Sequence, residues 1–406
     1  MADTHHQEVQ EVEAMRLKQI NPLPKNVLEE IGFAWHTDID NSDYVSNSIV
    51  CITPSEADAY YTAANELYDM YAEAGQYIID NNLFHEIGVP YNMVEVVKMS
   101  WENDLHWHLY GRFDFAGGID GKPIKLLEFN ADTPTALFET SVIQWALMKN
   151  SGFENSEQFN NIYEGLKNNF KRLITLNDDP SEFEGRYEGW KILFSSARNS
   201  KEEENTVKFM QQVAHEAGWT TGFCYLDEVG FDDNHGIFDE DGVNYEFWFK
   251  LYPWEDIAIN EPNLIMTLTN IIKNQRAIIL NPAYTVMFHS KGMLKILKQL
   301  FPNSPYLLDA DFAPLVGKKQ VEKKMLSREG QNIAIIEANG MKSFENNGEY
   351  GNIKSVFQEF VELPKDGEDA RYQAGVFFAY EGIGVGFRKG GVILDNMSKF
   401  VGHIIE

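Results

Sequence analysis

Residues 111–135 read GRFDFAGGIDGKPIKLLEFNADTPT, and polar and apolar residues alternate at both ends of this stretch. Successive side chains of a strand point to opposite faces, so Arg112 and Asp114 share one face of a first strand. Glu128 and Asn130 likewise share one face of a second strand. Because the glycine-rich connection is short, the two strands are predicted to pair antiparallel and to gather these four polar side chains on one wall.

This polar wall has two interpretations. Carboxylate and amide oxygens are the ligands that Mg²⁺ prefers, so Asp114, Glu128 and Asn130 are candidates for holding nucleotide-bound magnesium. Arg112 beside them is suited to bind a carboxylate or a transferring phosphoryl group through two parallel hydrogen bonds. Alternatively, the wall is the solvated face of an amphipathic hairpin whose charges pair at the surface. The pattern alone favours neither interpretation.

Two later segments carry clustered cations in an acidic chain. Residues 323–332 read KKMLSREGQN, which is typical of a basic loop that folds over phosphates, although the P-loop pattern GxxxxGK[ST] is absent. Residues 381–391 read EGIGVGFRKGG, and these glycines predict a loosened strand end that brings Arg388 to a ligand. For both segments an ordinary surface position is the alternative. Lys291, at the start of a predicted helix, carries no specific signal.

The rest of the chain predicts an α/β protein. An N-cap threonine, a first-position proline and a capping-box glutamate predict a helix over residues 53–79, with one buried apolar stripe. A second helix is expected from about Ser156. Residues 191–226 predict a strand, a helix capped by Ser200 and a further strand, which is a βαβ unit with a parallel sheet.

Other metal and nucleophile patterns are weak. His106 and His108 would share a face if extended, but no third ligand is near in sequence, so structural histidines are favoured over zinc. The sequence DEDG at residues 239–242 lacks the ligand spacing of a calcium loop and predicts a hairpin turn. Cys51 and Cys224 fit no CxxC pattern, which favours free thiols over a disulfide.

The charge of the chain limits its partners. The 406 residues include 34 Lys and Arg against 62 Asp and Glu, which gives a formal net charge of −28. Such a field repels nucleic acids and anionic membranes, and it favours cationic partners such as polyamines or metal ions. No apolar run approaches the roughly 18 residues of a membrane span, and the N-terminus lacks a signal-peptide pattern. We therefore expect a cytoplasmic protein without nucleic-acid or membrane partners.

Several motifs, in this order, resemble the synthetase domain of glutathionylspermidine synthase and its stand-alone acid–amine ligase relatives. They run from about Gly111 to the C-terminus and read GRFDF, KLLEFNADTPT, YLLDADF, KKMLSREGQNI, FQEFVELP and GVGFRKGG. The resemblance implies an ATP-grasp core and a two-step ligation. In the first step ATP phosphorylates a carboxylate, and in the second an amine displaces the phosphate to form an amide. The implied partners are a glutathione-like acid, a polyamine-like amine, ATP and two Mg²⁺ ions. A homodimer is a further expectation, and no motif of the sequence carries it.

The resemblance also implies site residues by their place in the motifs. The catalytic residues would be Arg112 and Arg388, and the metal ligands would be Asp114, Glu128 and Asn130. The ATP-binding residues would be Lys291, Lys323, Gly330, Gln358, Glu359, Phe360 and Val361. The substrate-binding residues would be Arg112, Thr133, Thr135 and Glu139. The motif does not decide whether Lys323 or Lys324 binds ATP.

The length predicts two or three structural units. We expect an N-terminal helical region with the antiparallel motif sheet over 1–185, and a Rossmann-like βαβ region with a hairpin over 186–300. An ATP-grasp lid with C-terminal strands would follow over 301–406 and complete its core with 101–150.

Two alternatives to this ligase are a ligase for another acid and amine, and a nucleotide-binding pseudoenzyme or regulatory module. A mere binder has no need of both arginines. Amide hydrolysis is not predicted, because the family's amidase domain would exceed this length and Cys51 lies in no matching context.

Overall fold

The computed structural model describes residues 15–175 and 191–406. Within these ranges the chain is a mixed α/β protein with several sheets, as its sequence predicts. The strands, in chain order, are β1 (Leu17–Gln19), β2 (Ser48–Ile52), β3 (Gly111–Ala116), β4 (Lys125–Asn130), β5 (Lys191–Ser196), β6 (Thr220–Tyr225), β7 (Gly230–Asp232), β8 (Gly236–Phe238), β9 (Asn244–Tyr245), β10 (Phe247–Lys250), β11 (Ile278–Leu280), β12 (Ala310–Asp311), β13 (Gln320–Lys324), β14 (Ala334–Ile336), β15 (Lys342–Glu345), β16 (Ser355–Glu359), β17 (Arg371–Ala379), β18 (Glu381–Gly390), β19 (Lys399–Val401) and β20 (His403–Ile405).

Helices pack on these sheets and connect them. Among the helices of the described ranges, none combines the length and apolar character that crossing a bilayer requires. In chain order they are α1 (Lys25–Glu30), α2 (Pro54–Asn81), α3 (Val94–Trp101), α4 (Gln144–Asn150), α5 (Ile162–Thr175), α6 (Lys201–Glu216), α7 (Trp254–Asn260), α8 (Pro262–Lys273), α9 (Thr285–His289) and α10 (Met293–Leu300).

The predicted pair of polar strands is present. Strands β3 and β4 are antiparallel, with Arg112 opposite Asn130 and Asp114 opposite Glu128. They form one edge of a five-stranded sheet with the order β19–β18–β17–β3–β4. Because β17 pairs directly with β3, the C-terminal strands lie beside a hairpin that is distant in sequence. A local pattern in the sequence predicts the hairpin, whereas the pairing of β17 with β3 joins residues distant in sequence and is seen only in the structure.

Helix α2 covers this sheet, and its start follows from its sequence. Thr53 accepts a hydrogen bond from the Glu56 N–H, and the Glu56 side chain accepts one from the Thr53 N–H. These two bonds satisfy backbone donors that the first helical turn would otherwise leave unpaired. The predicted apolar stripe is buried and consists of Tyr60, Ala64, Leu67, Tyr71, Ala74 and Ile78.

The predicted βαβ unit is confirmed in its strand direction. Strands β5 and β6 are parallel, and Ser200 caps α6 by accepting a hydrogen bond from the Glu203 N–H. Strands β10 and β11 extend the sheet in the order β11–β10–β5–β6, again in parallel. The predicted boundary at 185–186 lies outside the described residues, and the three-segment division stays a prediction.

A second five-stranded sheet has the order β12–β16–β13–β14–β15 and is antiparallel. The basic segment KKMLSREGQN ends β13 and continues as the connection to β14, so the predicted loop lies at one end of this sheet. The turn at residues 239–242 joins β8 to β9, which pair antiparallel as a hairpin, so that prediction is also confirmed.

The predicted start of the second helix is wrong. Helix α5 begins at Ile162 rather than near Ser156. The preceding residues form backbone bridges instead, from Glu157 to Ile405 and from Asn160 to Gly384. The Phe159 carbonyl accepts a hydrogen bond from the Val385 N–H of β18, and a local periodicity cannot reveal such pairing with a C-terminal strand.

Candidate active site

Strands from both five-stranded sheets line a cavity of about 460 Å³. The segments 35–44, 327–333 and 392–397 complete its walls. Asn130, Thr133 and Glu139 lie outside this lining. The other predicted site residues all line the cavity, and these are Arg112, Asp114, Glu128, Thr135, Lys291, Lys323, Gly330, Gln358, Glu359, Phe360, Val361 and Arg388.

Arg112 and Asp114 form a tight ion pair on β3. The guanidinium donates from Nε to Asp114 Oδ1 at 2.6 Å and from Nη2 to Oδ2 at 2.9 Å. Space for Arg112 depends on the glycine opposite Asp114, because a Cβ on Gly375 would come within 2.9 Å of Arg112 Cδ. Asp114 is only 2% exposed, so the alternative of a solvated hairpin face is wrong for this residue. Burial raises the pKa of Asp114, although the charge of Arg112 opposes this shift.

Glu128, on the neighbouring strand, is surrounded by lysines. Lys291 Nζ lies 3.0 Å from Glu128 Oε2 and also donates to the Ser327 carbonyl at 2.6 Å. Burial by itself would raise the pKa of Glu128, but the charges of Lys291 and Lys323 outweigh it and lower the pKa to about 2. Glu128 therefore stays ionised at neutral pH.

The structure separates the two candidate lysines of the basic loop. Lys323 lines the cavity and donates from Nζ to Gln358 Oε1 at 2.7 Å and to the Leu127 carbonyl at 3.1 Å. Lys324 points to the other face of β13, where it donates to Ser355 Oγ at 2.9 Å. Burial lowers the pKa of Lys323 to about 8, and nearby Lys291 acts in the same direction against the pull of Glu128.

The predicted magnesium ligands lie together on paired strands. Asn130 Nδ2 donates to Asp114 Oδ2 at 3.0 Å, so all three oxygen-bearing side chains share one face as predicted. Two carboxylates and an amide are hard oxygen donors that fit Mg²⁺ and leave positions for phosphate oxygens and water. Across residues 15–175 and 191–406, no group of three or more His, Cys, Asp or Glu side chains is arranged for a metal ion.

The far end of the cavity combines Arg388 with acidic side chains. Arg388 Nη2 donates to the Asp395 and Ser398 carbonyls at 3.0 and 2.9 Å. Glu139 is buried behind it, where Oε1 accepts a hydrogen bond from the Trp35 indole at 2.8 Å and Oε2 has no partner. Burial and the negative charge of Glu139 raise the pKa of Glu202 to about 8.

Several cavity residues were missed by sequence reasoning. Glu202 lies in the first turn of α6, where an acidic run is equally typical of favourable helix-dipole interactions. Trp35 and Tyr44 come from a segment without motif or periodicity. Arg328 stands inside the predicted basic loop, but nothing in that pattern distinguishes it from the lysines.

The two histidines and two cysteines lie away from this cavity. His108 Nε2 lies 2.9 Å from the Ala131 carbonyl, and its ring stacks on Tyr68 with centroids 5.5 Å apart. Burial lowers the pKa of both His106 and His108 to about 4, so both are neutral at pH 7. Both cysteines are buried and free, as the sequence favours.

Comparisons with known proteins agree over most of the chain. The model of the family described as glutathionylspermidine synthase preATP-grasp matches residues 15–406. A Haemophilus influenzae protein described as a candidate acid–amine ligase is 29% identical over 351 residues, which cover 83% of this chain and 85% of that protein. The bifunctional glutathionylspermidine synthetase/amidase of Escherichia coli is 27% identical over 341 residues, which cover 77% of this chain and 52% of that enzyme.

A solved structure shares the fold at much lower sequence identity. A glutathione synthetase-like effector from Globodera pallida superposes with a TM-score of 0.57 at 11% identity, covering 95% of this chain and 98% of the effector. This likeness concerns the fold alone.

Among the sequence relatives, the chain spans most of the length of the Haemophilus influenzae protein and about half of the length of the bifunctional enzyme.

Proposed function

The chain is a member of the glutathionylspermidine synthase family, and from this premise we propose that it is an ATP- and Mg²⁺-dependent ligase that joins a carboxylic acid to an amine. The observation that carries the proposal is that one cavity gathers six charged residues predicted for the site, which are Arg112, Asp114, Glu128, Lys291, Lys323 and Arg388. We further propose that the facing antiparallel sheets are an ATP-grasp core, and that β5, α6 and β6 belong to a Rossmann-like region.

ATP would lie against the second antiparallel sheet. Lys291 and Lys323 would bind its phosphates, and Gly330 lies in the loop that would cover them. The adenine would contact the segment from Gln358 to Val361, next to apolar cavity residues such as Val321. Asp114, Glu128 and Asn130 would hold Mg²⁺, which supplies positive charge to the phosphate oxygens when bound.

In the first step, a carboxylate oxygen of the acid attacks the γ-phosphorus of ATP, the bond from this phosphorus to ADP breaks, and an acyl phosphate forms. Charge on the transferring phosphoryl group has to be stabilised, and cations with positioning supply most of the catalysis in such reactions. Arg112 on β3 and Arg388 on β18, two strands of one sheet, would serve this purpose. Thr135 and Thr133, close to Arg112 and Arg328, would contact the acid.

In the second step, the amine nitrogen attacks the acyl carbon, the bond to phosphate breaks, and the nitrogen loses a proton. A cationic amine would bind near Glu202 in the cavity once this carboxyl group is ionised, with the buried Glu139 behind it. With a pKa raised to about 8, Glu202 is suited to accept a proton near neutral pH. The net charge of −28 supports attraction of a polycation over longer distances.

The relatives' names suggest the first substrates to test, which are a glutathione-like peptide acid and a polyamine-like amine. A different acid and amine remain the second candidate, and a nucleotide-binding pseudoenzyme is the candidate from another class. We also propose that the protein acts in the cytoplasm.

The decisive experiment measures ADP release with Mg²⁺, ATP and pools of acids and polyamines. Release that requires both an acid and an amine supports the ligase, and mass spectrometry of the product identifies the amide. ATP binding without any substrate-dependent release would favour the pseudoenzyme. A Glu128→Gln variant serves as the matched inactive control.

A further inference from the structure

A buried carboxylate lies behind the loop that covers the cavity. Glu255, in the first turn of α7, is 2% exposed. Arg328 of the loop donates to Glu255 Oε1 twice, from Nε at 3.0 Å and from Nη2 at 2.6 Å. The remaining terminal nitrogen, Nη1, donates to Thr133 Oγ1 at 2.8 Å. Groups from α7 and from the segment after β4 thus determine the orientation of this guanidinium.

Arg328 is the main cationic partner of this carboxylate. Burial would raise the pKa of Glu255, but the charge and hydrogen bonds of Arg328 lower it to about 2, with His289 acting in the same direction. His289 Nε2 lies 3.4 Å from Glu255 Oε1 without a hydrogen bond, and burial lowers the pKa of His289 to about 4. Glu255 Oε2 also has no hydrogen-bond partner. A buried anion with one cationic partner binds that partner strongly, because separation would leave the charge uncompensated.

The same loop is held at the preceding residue. The Ser327 carbonyl accepts a hydrogen bond from Lys291 Nζ, and Lys291 in turn pairs with Glu128. Two consecutive loop residues are therefore tied to buried charges from two directions.

An arginine has five N–H donors, and the described hydrogen bonds of Arg328 use three of them. Since Arg328 lines the cavity, two donors are left for an anionic ligand.

We infer that Glu255 is a positioning residue, which holds the Arg328 guanidinium and its loop against the cavity wall so that the remaining donors meet an anionic ligand. Glu255 acts through Arg328 and does not touch the substrate. The inference rests on the proposed function, because the anionic ligand is the phosphate or carboxylate of the ligase reaction. A pre-oriented arginine spares the reaction the cost of ordering a flexible side chain.

The first test is kinetic and uses the full chain. Glu255→Gln keeps the size of the side chain and removes its charge, and Glu261→Gln at the end of α7 is the matched control. We expect Glu255→Gln to lower kcat between about tenfold and 10²-fold, counted per site that binds a non-hydrolysable ATP analogue. The control should match the original protein. A structural role alone would reduce the number of binding sites and leave kcat per site unchanged, which would overturn the inference.

A second experiment, in a variant that lacks the Arg328 guanidinium, tests whether Glu255 acts through Arg328. In an Arg328→Met variant, the further change Glu255→Gln should alter kcat per site by less than about twofold, because the residue through which it acts is gone. Equal effects of Glu255→Gln in both backgrounds would overturn the inference.

The last test needs no ligase activity. Trypsin should cleave after Arg328 several times faster in Glu255→Gln than in the original protein, whereas cleavage after exposed Lys342 should be unchanged. Equal cleavage after Arg328 would overturn the anchoring by Glu255. Absence of ADP release by the original protein with all substrate pools would overturn the proposed function instead, so the two failures are distinguishable.

Discussion

Glu128 and Glu202 line the same cavity but differ in the charges beside them. Lys291 and Lys323 lower the pKa of Glu128 to about 2, against the effect of burial. Burial and Glu139 raise the pKa of Glu202 to about 8, and Arg388 only partly opposes this shift. One carboxylate is a permanent anion between cations, and the other can gain or lose a proton near neutral pH.

This difference teaches how one cavity can serve two chemical steps. A permanent anion suits a metal ion and the lysines that bind phosphates, because its charge does not vary with pH. A titratable acid suits the transfer of a proton from an amine. Five experiments test the roles of these two carboxylates and of the cations in the same cavity, starting with the largest expected effect.

Removing the charge of Glu128 should have the largest effect. Glu128→Gln is expected to lower Mg²⁺-dependent ADP release on the order of 10²- to 10³-fold, because the cations then lose their common partner and the metal loses a ligand. Calorimetry should show weaker Mg²⁺-dependent binding of an ATP analogue. The control is Glu322→Gln, because Glu322 lies on β13 outside the cavity lining and accepts a hydrogen bond from Ser355. An unchanged metal dependence in Glu128→Gln would show that Glu128 does not belong to the metal site.

Arg388→Met should lower turnover by about 10²-fold while changing the affinity for ATP much less, because Arg388 would act on the transferring group. Steady-state kinetics with separate kcat and KM values for ATP checks this. Lys389→Met is the matched control, since this neighbouring lysine pairs with Asp366 at 2.9 Å outside the cavity lining. Equal losses of turnover and affinity would instead indicate simple binding.

The KM for ATP should rise with pH, because the pKa of Lys323 is about 8. Below pH 8 the ammonium group of Lys323 is charged and attracts phosphate. Above pH 8 the free protein loses this charge, and its affinity for ATP should fall by up to about tenfold per pH unit. Lys323→Arg keeps its charge and should show a flat profile between pH 7.5 and 9. A flat profile in the original protein would contradict the prediction.

Glu202→Gln should affect the amine step and only at higher pH. At pH 6.5 the carboxyl group is mostly protonated and resembles glutamine, so little change is expected. Above pH 8 it is ionised, and the variant should lose about fivefold in kcat/KM for the amine through the missing charge–charge attraction. The measurement is kcat/KM for the amine across this pH range, and an equal loss at both ends would exclude titration of Glu202 as the cause.

Lys324→Met should have the smallest effect, changing the KM for ATP by less than about twofold, because this lysine bonds to Ser355 on the face turned away from the cavity. The comparison is Lys323→Met, assayed under the same conditions. A larger effect of Lys324→Met than of Lys323→Met would reverse the assignment of the two lysines.

The elements that sequence predicts best are those with strong local signals. The capping box at Thr53 places the start of α2, and the alternation around Asp114 and Glu128 predicts the two polar strands and their pairing. The start of α5 was predicted too early, because residues near Phe159 use their backbone for bridges to distant strands. Such pairing depends on partners hundreds of residues away, so the local periodicity of the sequence does not indicate it.

By itself, the sequence determined the polar hairpin, the parallel βαβ unit, the acidic charge and the order of the family motifs. Only the tertiary structure decided that Lys323 rather than Lys324 faces the cavity, that Glu202 lies beside Arg388, and that Glu255 holds Arg328. The physical reason is that alternation and capping act between near neighbours, whereas burial and ion pairing depend on which distant segments meet. The sequence determines the chemical type of each side chain, but the fold determines its pKa and its partner.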